Sequence, residues 1–159
     1  MAKEIERKFL VSDGSYADLS VSHSRMRQSY LSDRPEATVR VRISGDRAIL
    51  TVKGPNSGAV RDEWEWPIPV DDAEEMLSRL VLGRSIDKTR YIVPYGGQRW
   101  EIDEFHGPLE GLVVAEVELP SADTEIEFPP FVGREVTGDP AYYNSNLSKM
   151  AGLDDLKLT

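Results

Sequence analysis

The chain has 159 residues, 40% hydrophobic and 30% charged, which is the profile of one folded domain over 1–159 with enough apolar mass for its own core. It contains no cysteine, so a disulfide framework and thiolate metal sites are excluded, and it has no apolar N-terminal stretch of signal-peptide or membrane-span length; a cytoplasmic location without a membrane partner is expected. A formal net charge of −9 argues against a nucleic-acid partner, whose binding surfaces concentrate excess Lys and Arg.

The chain opens on "KEIERKFLV", in which Glu4, Glu6 and Lys8 alternate with Ile5, Arg7 and Phe9, the period of a strand. After an irregular stretch over 13–22, strict alternation returns in "TVRVRI" and "LTVK", separated by the turn signal "SGDR", and again in "RDEWEW" after "KGPNSG". In "VDDAEEMLSRLVLG" the spacing switches to helical: Asp71 or Asp72 can cap, Ala73, Met76, Leu77, Leu80 and Val81 share a face, and Gly83 stands as the terminator. "DKTRYIV", "WEIDEF" and "AEVELP" are three further strands, the first two divided by "PYGG". Pro129 and Pro130 break any regular element over 121–131, and "DPAYYNSNLSKMAG" predicts a second helix with Asp139 as cap, Pro140 in the first position and Gly152 at the end.

The polar parity of these strands is charged almost throughout. It carries Lys8, Arg40, Arg42, Lys53, Arg61, Lys88 and Arg90 against Glu4, Glu6, Glu63, Glu65, Glu101, Asp103, Glu116 and Glu118, with like charges grouped strand by strand. The other parity is apolar and includes Trp64, Trp66 and Trp100, a set read as core beneath the two helices rather than as a base-stacking platform. An open sheet would leave the charged face in water; a closed one would turn it into a lumen. Strands of like charge repel when paired unless opposite charge lies between them, which favours the lumen.

Carboxylates without Cys or a strand His are hard oxygen donors suited to Mg²⁺ or Mn²⁺, and Arg and Lys facing the same cavity suit phosphate oxygens. Together they describe metal-assisted phosphoryl transfer. His23 and His106 are isolated and receive no role, and no Gly-x-x-x-x-Gly-Lys-[Ser/Thr] loop is present, so any phosphate site is not of the P-loop kind.

"EIERKFLV" resembles the Glu-x-Glu-x-Lys signature of the CYTH superfamily, the triphosphate tunnel metalloenzymes, and "RQSYL", "VRVR", "TVK", "EWEW", "DKTRY", "WEIDEF", "VEVELP" and "YYNSNLSK" look like its later motifs in order. The resemblance implies an α+β fold: a closed eight-stranded antiparallel barrel, a tunnel with charged interior and helices packed outside. It implies Glu4, Glu6, Asp103, Glu116 and Glu118 as metal ligands and Arg40, Arg42, Lys53, Arg61, Lys88, Arg90 and Lys149 as phosphate ligands. Lys8 and Lys53 take catalytic roles, with Glu63, Glu65, Glu101 and Tyr30 as further tunnel lining. Among the superfamily the chain looks most like compact bacterial enzymes that hydrolyse inorganic tripolyphosphate to pyrophosphate and phosphate with Mg²⁺ or Mn²⁺. The alternatives are a class IV-type adenylate cyclase, a thiamine triphosphatase and, outside enzymes, a polyphosphate-binding module. A homodimer is compatible with the resemblance.

Overall fold

A computed structural model describes residues 2–80 and 82–156. Its frame is nine antiparallel strands: β1 (Ala2–Val11), β2 (Ser22–Arg34), β3 (Ala37–Ser44), β4 (Arg47–Lys53), β5 (Val60–Ile68), β6 (Leu82–Tyr95), β7 (Gln98–Phe105), β8 (Val113–Glu118) and β9 (Val132–Glu135). Eight of them run β5-β4-β3-β2-β6-β7-β8-β1 and close on themselves where Glu4 of β1 pairs with Arg61 of β5. Closure matters chemically because it turns one face of the sheet inward.

The tight turns follow from glycine. Ser44 pairs with Arg47 across Gly45-Asp46, and Tyr95 with Gln98 across Gly96-Gly97; Gly45, Gly96 and Gly97 have φ of 61°, 59° and 79°, the left-handed values that short hairpins demand.

Three apolar clusters hold the barrel. Outside it, Phe9, Trp100, Val117 and Phe131 pack together beneath the irregular segment over 121–131, joined by Tyr16 of α1 (Tyr16–Leu19). Also outside, Ala73 and Leu77 of α2 (Val70–Arg79) cover Val41, Ile43 and Ala48. The third cluster lies elsewhere. Phe105 stands opposite Lys88 in the register, Val114 opposite Asp103 and Leu10 opposite Val114, so all three continue the inward, charged parity. At this end of the barrel the inward face becomes apolar, and Tyr142, Leu147 and Leu156 of the C-terminal segment fill it.

Several expectations change here. The first helix ends at Arg79, not near Gly83: Pro69 is the N-cap, Asp71 and Asp72 lie in the first turn without capping, and Leu80 is 56% exposed, while Val81 lies outside the described residues. Gly83 is instead the second residue of β6, with φ 71°. The second helix is broken into a 3-10 turn over Pro140–Tyr142 and the four-residue α3 (Asn144–Leu147); Asp139 does cap, its Oδ1 accepting from Ala141 N at 3.0 Å. That segment stoppers one end of the barrel instead of covering its side, because its apolar partners face inward. Trp100 is core, but Trp64 is half-buried and Trp66 is 50% exposed, since α2 covers β3 and β4 and stops short of β5.

Candidate active site

The inward face encloses a cavity of about 770 Å³. Lys8, Tyr30, Arg40, Arg42, Lys53, Arg61 and Arg90 line it together with Glu4, Glu6, Glu63, Glu65, Glu101, Glu116 and Glu118. Strand register brings them together: Glu6 stands opposite Glu118, Lys8 opposite Glu116, Tyr30 opposite Arg40, Lys53 opposite Glu63 and Arg90 opposite Asp103. Lys88, Asp103 and Lys149 do not reach the cavity surface, for two different reasons.

Asp103 and Lys88 sit behind the wall, 1% and 0% exposed. Lys88 Nζ donates to Asp103 Oδ2 at 2.7 Å, and Arg90 grips both carboxylate oxygens, through Nε to Oδ1 at 2.8 Å and Nη2 to Oδ2 at 2.9 Å. Burial opposes ionisation of Asp103, yet Arg90 and Lys88 outweigh it and hold the carboxyl well below the ordinary range. With both oxygens engaged, Asp103 fixes the direction of Arg90 rather than presenting a free metal donor. Arg90 reaches onward to Glu101 Oε2 at 3.1 Å. Lys149 is exposed and bonds Asp33.

Along β1 the carboxylates crowd. Lys53 Nζ lies 2.8 Å from Glu4 Oε2, and Lys8 Nζ lies 3.4 Å from Glu116 Oε1 while donating to the Tyr142 carbonyl at 3.1 Å. Burial raises all of these carboxyls, and their partners then separate them. Glu63 and Lys53 pull Glu4 below its usual value, and Lys8 with Arg90 pulls Glu116 down to about 2. Glu6 has burial, Glu116 and Glu4 all against its charge and is pushed well up, and Glu63, hydrogen-bonded to Glu4, is pushed up to about 8. Among the described residues no three Asp, Glu, His or Cys side chains already converge on one point. The donor set of Glu4, Glu6, Glu116 and Glu118 nevertheless fits a hard divalent cation: every donor is oxygen, and burial together with the carboxylates of Glu116 and Glu4 opposes the charge on Glu6, a crowding that a cation relieves.

Among the arginines of the lining, Arg61, beside Glu4 in the register, donates to Gly54 O at 3.0 Å and to Thr38 Oγ1 at 3.1 Å, and Arg40 of β3 to Thr51 Oγ1 at 3.2 Å. Arg42 donates through Nε to Gln28 Oε1 at 2.9 Å. These supporting groups, Gln28, Thr38 and Thr51, are absent from the charge-parity reading because they are neutral; their signal is that they fall on the same alternation as Tyr30, Arg40 and Lys53. The cavity also touches Arg99, which falls on the same alternation as Glu101 and Asp103 in β7, and Asn56, Thr137 and Tyr143, which come from a turn and the C-terminal segment and have no periodicity to betray them.

Comparison with known proteins agrees with this geometry. The model of the CYTH domain family matches residues 2–153. An inorganic triphosphatase of Acetivibrio thermocellus is 47% identical over 149 residues, 94% of this chain and 95% of the relative. One from Nitrosomonas europaea is 39% identical over 150 residues, covering 91% and 96%. A crystal structure of an inorganic triphosphatase superposes with a TM-score of 0.65 at 35% identity, over 94% of this chain and 99% of that one.

Proposed function

Because the chain belongs to the CYTH domain family, we propose that it hydrolyses inorganic tripolyphosphate to pyrophosphate and phosphate inside the barrel, with a divalent metal. The observation that carries the reading is one cavity lined both by Arg40, Arg42, Arg61 and Arg90 and by Glu4, Glu6, Glu116 and Glu118, a combination that fits a polyanion accompanied by a cation. The two curated relatives, both inorganic triphosphatases, favour tripolyphosphate over a nucleotide or thiamine triphosphate.

Arg40, Arg42, Arg61 and Arg90 bind the phosphate oxygens, each already aimed by a neutral or charged anchor, so little orientation remains to be lost on binding. A Mg²⁺ or Mn²⁺ ion held by Glu4, Glu6, Glu116 and Glu118 supplies neutralisation of the phosphate charge and polarisation of the attacked phosphorus. Lys8 and Lys53, paired with Glu116 and Glu4, present ammonium groups to the oxygens on which charge builds in the transition state. The C-terminal stopper limits water entry from one end, which strengthens each of these interactions. The reading has the protein act in the cytoplasm on a free triphosphate.

Phosphate release from tripolyphosphate, ATP and thiamine triphosphate, with Mg²⁺, Mn²⁺ or EDTA, tests this. Fastest release from tripolyphosphate, abolished by EDTA, is expected. Cyclic AMP from ATP would make it a cyclase, and metal-independent binding without release would make it a polyphosphate-binding module.

A further inference from the structure

Four of the arginines lining the cavity, Arg40, Arg42, Arg61 and Arg90, are anchored in chemically different ways. Arg90 is clamped on Asp103 and touches Glu101, so two carboxylates offset its charge. Arg40 has Glu65 Oε2 at 4.0 Å, and Arg61 leans on a backbone carbonyl and a hydroxyl. Arg42 lies on the inward face of β3 opposite Gln28 and is fixed through Nε by the Gln28 carbonyl, a neutral acceptor.

Gln28 is an odd residue for that place on stability grounds. It is 0% exposed, and its Nε2 has no hydrogen-bond partner among the described residues. A buried amide donor left unpaired is costly, and a glutamate of the same shape would remove that donor and give Arg42 a stronger, charge-assisted bond. The neighbourhood invites a carboxylate further: burial, then Arg40 and Arg90, pull the Arg42 guanidinium down to about 9. Folding alone therefore selects Glu at 28, and the chain carries Gln.

We propose that Gln28 is a positioning residue that aims Arg42 into the cavity without discharging it, leaving the guanidinium's full charge for a bound polyphosphate. The neutral anchor fixes the Nε edge of the guanidinium, and the Arg42 side chain lines the cavity. A carboxylate at 28 would hold the same geometry but compete with the phosphate for the same charge, so orientation and charge supply are separable here in a way they are not at Arg90. The inference rests on the reading of the cavity as a polyphosphate site.

The test is Q28E in the full chain, measured by thermal unfolding, by calorimetric titration with tripolyphosphate in EDTA, and by steady-state hydrolysis with Mg²⁺. The expected result is a midpoint equal to or above that of the unaltered protein, together with a Kd and a KM raised about tenfold to a hundredfold, the size of a lost charge-assisted hydrogen bond to the anion. Q28L, which removes the anchor without adding charge, is expected to weaken Kd by less than Q28E. On an R42M background, Q28E should add no further loss, since there is no guanidinium left to discharge. A Q28E protein that binds tripolyphosphate as tightly as the unaltered one, or that is less stable than it, overturns the role of Gln28 while leaving the polyphosphate site standing. Failure of the unaltered protein to bind tripolyphosphate overturns both.

Discussion

Replacing Asp103 by asparagine isolates the electrostatic keystone of the barrel wall. The side chain is 1% exposed and receives three hydrogen bonds from two cations, at 2.7, 2.8 and 2.9 Å. Asparagine keeps the volume, so no cavity opens; what changes is that Lys88, 0% exposed, loses its carboxylate and meets an amide that donates toward it. Arg90 retains only Glu101, at 3.1 Å. Removing one member of a buried ion pair costs about 3–5 kcal/mol, because the remaining charge is left uncompensated. For a domain of this size each kcal/mol lowers the midpoint by roughly 2–4 °C, so D103N should unfold about 6–20 °C below the unaltered protein. Differential scanning calorimetry at neutral pH reads this directly, and urea titration should show a lower midpoint with an unchanged m-value. A drop of less than about 3 °C would mean that water or a shifted Lys88 compensates the cluster, and the reasoning would be wrong.

L147A removes a side chain 1% exposed from the stopper and should cost about 2–5 kcal/mol in urea titration, the range for truncating a well-packed leucine; a cost under about 1 kcal/mol would show that the C-terminal segment is loosely seated. On the outer wall, Arg25 donates to Asp87 at 2.7 and 2.8 Å and holds that carboxyl below its ordinary 3.8. A depressed folded value means stability that is fully present above 3.8 and lost as the pH falls through the lower folded value. R25M should therefore be less stable than the unaltered protein at neutral pH, with the gap closing in thermal scans taken at increasingly acid pH; a gap that stays constant refutes the pair as its source.

The closed, charged-lumen barrel was legible because parity is a period-two signal that survives in every strand. "RVR" and "EVE" put charge on one side, as does "EIERK" but for Arg7, and closure reconciles so many like-charged neighbours. The C-terminal segment was not legible in the same way. Leu10, Ile86, Phe105 and Val114 share the charged parity, and nothing local says that a strand's inward face changes from wet to dry partway along. Proline and capping residues announced a helix over 139–152, whereas packing into the barrel end broke it into short turns. Lys88 and Asp103 illustrate the remaining gap: alternation puts both on the inward side, but depth along the barrel decides whether an inward charge meets a ligand or another side chain. Trp66 failed for the complementary reason, since sequence says which side of a strand is apolar and not how far the covering helix reaches.

The stopper alters what kind of container this is. With Tyr142, Leu147 and Leu156 seated against Leu10, Ile86, Phe105 and Val114, the barrel is a flask rather than a pipe. Its base and its reagent-bearing wall are touching, since Lys8 Nζ donates to the carbonyl of Tyr142 in that base. Tyr142, Leu147 and Leu156 thus belong to the reaction vessel itself: a shortened protein ending at Gly138 would present an oily ring to water at one end and leave Lys8 without one of its two supports. Anyone building fusions on this scaffold has freedom on the outer wall, and none at the bottom.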